Sequence, residues 1–242
     1  MKLAECGDVR LEALQPLCIV CMQLTLPLRI PLADRSLNHG HYPPAIMHPT
    51  TADDIAVAVK VARDHGVSVS VKSGGHSGVS FSNELVINMD GMSTVEVNAQ
   101  AQPPTVTCGG GVRAGAIDAA CMPHGLATTL GNVSCVGAAG LLMGGGTGFM
   151  ARWQGLAIDN LITATVVLAD GSIVEANDTE SPDLFYGLKG GGGNFGVLVK
   201  FTLRCFKVTG TYSPAPAPNQ PSEETIATSN DGGFIHHPPS AF

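Results

Sequence analysis

The chain has 242 residues, 44% hydrophobic and 14% charged, which is enough apolar content for one sizeable core or two small ones and too much for a disordered polymer. A formal net charge of -7 and a pI near 5.5 leave no basic stripe, so with Lys and Arg scattered singly a nucleic-acid partner is not expected. Thirty glycines cluster at 74–78, 109–111, 144–148 and 190–196, the pattern of backbone brought close to something rather than of a flexible linker.

Residues 1–42 read as an atypical lead-in. The apolar run "LCIVCMQLTLPL" at 17–28 is too short to span a bilayer, and it follows Glu5, Asp8 and Glu12, the wrong sign for the start of a signal peptide. Neither a membrane partner nor secretion is expected, and the compartment stays open. Cys18 and Cys21 have CxxC spacing but no second such pair and no following His pair, so no metal site is expected. The seven cysteines as a set look like small core residues rather than a disulfide framework.

"PTTADDIAVAVKVARDHG" carries helix-start signals at Thr50 and Thr51, acids at Asp53 and Asp54 in the first turn, and Gly66 as a stop. "VSVSV" follows, so a helix feeds a strand over 52–71. "ELVINMD", "TVEVN" and "TVTCG" give three short strands, and "VRAGAIDAACMPHG" a second helix ended by Gly125. "LITATVVLADGSIVEAN" is a hairpin turning at Asp170-Gly171. "SPDLFYGLKG" begins a short helix with Ser181 at the cap and Pro182 just inside. In "VLVKFTLRCFKV", Val197, Val199, Phe201, Leu203 and Cys205 alternate with polar residues, which predicts a strand with one buried face. Strands dominate without strict βαβ alternation, so 43–208 reads as an α+β domain. From 209 to 242 the chain turns proline-rich and aperiodic, the composition of a disordered tail.

The glycine clusters invite a nucleotide reading. Gly191-x-Gly193-x-x-Gly196 fits GxGxxG, but a helix precedes it and a strand follows, the reverse of the dinucleotide fingerprint. Gly109-x-Gly111-x-x-Ala114 has the right order, yet no Asp or Glu lies between Asp118 and Asp159 to take a ribose. No GxxxxGK[ST] occurs. What remains is a diphosphate cofactor gripped by loop amides: in "KSGGHS" consecutive glycines let N–H groups converge on an anion, with the Ser73 and Ser77 hydroxyls beside them. The alternative is that His76 is a plain turn residue.

Three long segments carry a family likeness: "VSVSVKSGGHSGVSF", "GLATTLGNVSCVGAAGLLMGGGTGFMARWQGLAIDN" and "ADGSIVEANDTESPDLFYGLKGGGGNFGVLVKF". Collinear over about 43–208, they resemble the FAD-binding lobe of the berberine-bridge-enzyme-like oxidases of the vanillyl-alcohol-oxidase superfamily. The resemblance implies a PCMH-type FAD-binding domain of two small α/β subdomains, with the substrate lobe absent. It further implies that Lys72, Ser73, Gly74, Gly75, His76 and Ser77 wrap the FAD pyrophosphate, with His76 bonded covalently to the flavin 8α-methyl. By the same likeness Cys135, Gly137, Gly140, Gly144, Gly145, Gly146, Gly148, Asp159 and Asn160 line the flavin, while Gly196 and Val197 support the adenine end.

The chain departs from the family in three respects. Lys72 replaces an arginine, keeping the charge but giving up bidentate contact. Val133 stands where many members have a second flavin-bonding cysteine, and Cys135 lies two residues nearer Gly137. One covalent link is therefore expected, with Cys135 either core or flavin-facing. Family members are also about twice as long, and their base comes from the half not seen here; Tyr42, Tyr186, Tyr212 and Trp153 offer no convincing substitute. The expected function is an FAD-dependent oxidoreductase in truncated form, passing hydride from a small organic substrate, if a second lobe is supplied, to covalent FAD reoxidised by oxygen. The alternative is a flavin-binding fragment without turnover. Flanks normally covered by the second lobe would leave apolar surface open to association.

Overall fold

The first long helix starts as its sequence predicts. In the computed structural model, which describes residues 45–80 and 84–208, α1 (Ala52–Asp64) opens with a reciprocal capping box. The Asp54 backbone N–H donates to Thr51 Oγ1 (3.2 Å), and the Asp54 carboxylate accepts from the Thr51 and Thr50 backbone N–H groups and from Thr50 Oγ1, each at 2.9 Å. The lead-in at 1–42 and the tail at 209–242 lie outside the described residues. Among the described residues no helix is long and apolar enough to cross a membrane.

Helix α1 feeds β2 (Val69–Lys72), which with β1 (Ala45–Met47) and β3 (Leu85–Asn88) forms a parallel sheet of order β1-β3-β2. Ile55, Ala58 and Ala62 from α1 pack on Ala45, Met47, Leu85 and Ile87. This is the smaller subdomain.

The larger one is an antiparallel sheet of β4 (Val95–Asn98), β5 (Thr105–Gly109), β7 (Leu161–Val167), β8 (Ile173–Ala176) and β9 (Val197–Arg204), in the order β4-β5-β9-β7-β8. Helices α2 (Ala114–Cys121), α3 (Ala138–Met143) and α5 (Pro182–Leu188) bury residues in its core, and α4 (Ala151–Gln154) lies on the surface. β6 (Leu126–Ala127) and β10 (Phe206–Lys207) form a separate antiparallel pair. The β7–β8 hairpin turns at the predicted dipeptide: Gly171 has φ +84°, and Asp170 accepts from the Ser172 N–H (2.8 Å) and Oγ (2.6 Å). The second helix stops earlier than its sequence predicts, at Cys121; a 3-10 turn over Met122–His124 then carries the chain to Gly125, φ +62°, the expected stop.

β9 joins the two cores and departs from the expected single buried face. Leu198, Phe201 and Leu203 lie in the large core, whereas Val197 and Val199 lie in the small one with Val167. The alternation changes phase at an irregularity in the β7–β9 register, where Thr165 pairs with Lys200 but Val166 with Leu198. The extra residue there rotates the following side chains onto the other face.

The short helices α3 and α4 are not anticipated by periodicity, because glycine interrupts the apolar spacing that would reveal them. Ser181 occupies the start of α5 as predicted, but at φ +49° and without a side-chain capping bond.

Candidate functional site

The loop "SGGHS" leaves the small sheet at the end of β2 and meets the 133–137 segment of the large subdomain. Contact is backbone to backbone. A Cβ on Gly74 would lie 2.2 Å from Gly137 N, and one on Gly137 would lie 2.3 Å from Gly74 N and 2.4 Å from Ser73 Oγ. Only glycine fits at either position. Gly75, at φ +70°, then turns the chain so that the exposed His76 faces Cys135.

His76 Nε2 lies 3.2 Å from the Cys135 carbonyl oxygen and 3.5 Å from Cys135 Sγ. A carbonyl can only accept, so Nε2 carries the hydrogen and Nδ1 keeps its lone pair in the neutral ring. The sequence leaves Cys135 open between core and flavin-facing. The structure places it half-buried against His76.

Ser73 Oγ is buried without a hydrogen-bond partner, the one such side-chain atom among the described residues. A buried hydroxyl left unpaired is costly, and this one lies between the amides of two glycine-rich segments. An anion bound there would accept its hydrogen bond, so these residues fit a diphosphate group.

Lys72 turns beneath the loop rather than out of it. Its Nζ donates to Asn88 Oδ1 at 3.3 Å and to Asp90 Oδ2 at 3.1 Å, and Arg113 NH2 lies 3.6 Å from the other Asp90 oxygen. Two cations around one carboxylate leave a net positive charge under the loop. Sequence reading singled out neither Asp90 nor Arg113, because the topology that brings them to Lys72 is not a local pattern. Arg113 also bridges to Gly137 and precedes α2.

The second glycine segment folds on 155–158. The Ala157 N–H donates to the Gly146 carbonyl (2.8 Å) and the Ile158 N–H to that of Gly145 (3.0 Å), with positive φ at both glycines. A Cβ on Gly148 would lie 1.6 Å from Leu130 O, so that glycine serves close packing. Gly140 has open space on its Cβ side and Gly144 only ordinary contacts, and both are exposed.

Asp159 and Asn160 hold this loop through their side chains. Asp159 accepts from the Leu156 N–H at 2.8 Å, and the buried Asn160 Nδ2 donates to Thr129 Oγ1 (3.3 Å) and to the Gln154 and Leu156 carbonyls (both 3.0 Å). Gly196, at φ +144°, packs where a Cβ would meet Val167 O at 2.4 Å, and the Val197 side chain sits in the small core. Those two residues can offer a ligand only backbone. Ser77 is exposed next to His76.

Comparison with known proteins agrees with this geometry. The family described as "FAD binding domain" matches residues 43–177. Glucooligosaccharide oxidase of Sarocladium strictum is 40% identical over 178 residues, covering 71% of this chain and 35% of that protein. A solved glucooligosaccharide oxidase from Acremonium strictum, described as carrying a 6-S-cysteinyl, 8α-N1-histidyl FAD, superposes with TM-score 0.71 at 35% identity over 78% of this chain and 42% of that one. Physcomitrella patens BBE-like 1 gives TM-score 0.71 at 29% identity over 79% and 44%. The chain spans about a third of the length of the curated relatives it matches. With glycine-paired loops, an unpaired hydroxyl between them and this match across more than half its length, the chain belongs to the FAD binding domain family, whose members similar to it include FAD-linked oligosaccharide oxidases and berberine-bridge-enzyme-like proteins of the vanillyl-alcohol-oxidase superfamily.

Proposed function

We propose that residues 43–208 form an FAD-binding domain in which His76 is covalently joined to the flavin 8α carbon through Nδ1. The observation that carries this reading is the hydrogen bond from His76 Nε2 to the Cys135 carbonyl. It fixes the tautomer in which Nδ1 is nucleophilic and aims the ring from a loop with no bulky neighbours. In support of the domain boundary, β9 and β10 complete the larger sheet and the small pair up to Lys207, beyond the family match.

Bound FAD would supply a two-electron acceptor for hydride. Ser73 Oγ donates to the diphosphate, the amides of Gly74 and Gly137 lie beside it, and the Lys72–Asp90–Arg113 group supplies positive charge beneath. Segments 131–148, Cys135 included, and 155–160, with Gly140 and Gly144 on the open side, line the flavin. Gly196 and Val197 support the adenine end through backbone.

The activity proposed is that of an FAD-linked oxidoreductase acting on a small organic substrate, with oxygen as acceptor. The relatives named as oligosaccharide oxidases make a carbohydrate the first substrate class to try. A second reading, flavin binding without turnover, is favoured by the exposure of Val133, Trp153 and Leu156 in or beside the flavin-lining segments.

The test is visible absorbance of the purified chain followed by acid precipitation, with His76→Ala in parallel. Colour retained in the wild-type pellet and lost from the variant is the expected result, and peptide mass then distinguishes one link from two. A wild-type protein that stays colourless after incubation with FAD would overturn the reading.

A further inference from the structure

Three buried thiols lie in the large core, away from His76 and used by nothing in the flavin site: Cys108, Cys121 and Cys205. Cys121 is the last residue of α2, and Cys205 is the break between β9 and β10. Their sulfurs are 4.0 Å apart across 84 positions of sequence. A disulfide needs about 2.05 Å, so roughly 2 Å of approach, shared between two short side chains, would close the gap.

We propose that Cys121 and Cys205 are a peroxide-responsive thiol pair that closes to an intramolecular disulfide, stapling the end of α2 to the β9–β10 junction. The inference does not depend on FAD binding.

The chemistry of the pair favours a division of roles. The hydrogen bond from Cys205 holds the Cys121 thiol below its ordinary range, against burial and the nearby Asp118, while the same hydrogen bond and burial push Cys205 up. Cys121 is therefore the attacking thiolate and Cys205 the resolving thiol. Burial pushes Cys108 up to about 12, which keeps it protonated and unreactive.

Cys121 is itself buried but directly precedes the exposed Met122 at the end of α2, so hydrogen peroxide, a small oxidant, would reach it through local opening of that end. Cys121 sulfur attacks one peroxide oxygen. The S–O bond forms, the O–O bond breaks, and the leaving hydroxide takes a proton to become water. Cys205 sulfur then attacks the Cys121 sulfenic acid: the S–S bond forms, S–O breaks and a second water leaves. In balance, two thiols lose two electrons and two protons, and one peroxide becomes two waters.

The staple would also bear on the flavin loop. Helix α2 starts with the Ala114 and Gly115 N–H groups donating to the Val136 and Ser134 carbonyls at 3.0 and 2.9 Å, on either side of Cys135. One eight-residue helix thus links the thiol pair to the segment that orients His76.

The experiment uses the reduced, folded full chain treated with hydrogen peroxide, alkylated and digested without reductant for peptide mass mapping. The expected product is a linked pair of peptides containing Cys121 and Cys205, cleaved by dithiothreitol, together with a rise of roughly 5–10 °C in Tm. Neither appears in Cys205→Ser. Should that variant fail to fold, the wild-type map alone still decides, because it reads the pairing directly. Cys121 recovered as sulfinic acid beside a free Cys205, either residue linked to a different cysteine, or both thiols unmodified in excess peroxide would each overturn the proposal.

Discussion

At the scale of single residues, Ser73 separates cofactor binding from fold stability. Its hydroxyl is buried and unpartnered, so removing it relieves a desolvation cost in the flavin-free chain, of about 1 kcal/mol or more. The same hydroxyl is the donor closest to the Gly74–Gly137 contact, so its loss weakens the hold on a diphosphate. Ser73→Ala is expected to leave the thermal midpoint of the flavin-free protein equal or higher while lowering affinity for added FAD by about tenfold. Titration calorimetry beside a thermal melt checks both. A variant both less stable and unchanged in FAD affinity would show that the hydroxyl serves packing instead. His76 and its glycines are legible in the sequence because an imidazole among residues without side chains is a local pattern. The Cys135 carbonyl that fixes its tautomer is not, since it arrives from 59 positions away.

At the scale of elements, α1 shows how far local signals carry. Thr51 and Asp54 are spaced for a capping box, and the box forms. Burial works against the Asp54 charge, but the hydrogen bonds from Thr50 and Thr51 outweigh it and hold the carboxyl below the ordinary carboxylate range. Because the folded-state pKa is depressed, the stabilisation is present at neutral pH and is lost as pH falls through the folded value, below about pH 4. Asp54→Ala should cost about 1 kcal/mol at pH 7, and the difference between variant and wild type should shrink as pH falls through that window. Denaturant titrations of both proteins at neutral and acidic pH measure it; a difference independent of pH would mean that the carboxylate charge contributes nothing to the cap. Where elements are short and glycine-rich, as in α3 and α4, the sequence offers no periodicity to read. The phase change in β9 is hidden for another reason: an unbroken apolar alternation looks the same whether or not a bulge turns it. The Lys72–Asp90–Arg113 group depends likewise on how β2, the turn after β3 and the start of α2 come together.

At the scale of the whole molecule, two cores meet along one strand, and the proposed cofactor site lies where loops of both subdomains touch. That arrangement leaves apolar side chains open beside the flavin-lining segments. Trp153, on α4, is 56% exposed even though its ring lies 5.8 Å from that of Phe206, and Leu156, three residues on, is 42% exposed. Val133 adds 45% exposure next to the loop that meets His76. Large apolar groups left exposed in this way favour association. The full chain is therefore expected to self-associate with rising concentration, as read by sedimentation velocity. Charge at these positions should suppress this: Trp153→Lys with Leu156→Lys is predicted to give a monomer over the same range. Neither side chain lies in the buried core, so each substitution should change the unfolding free energy by no more than the roughly 0.5 kcal/mol typical of a surface site, apart from the lost Phe206 contact. If wild type and variant associate alike, contacts elsewhere on the molecule drive the association, and the open flank of the flavin site takes no part in it.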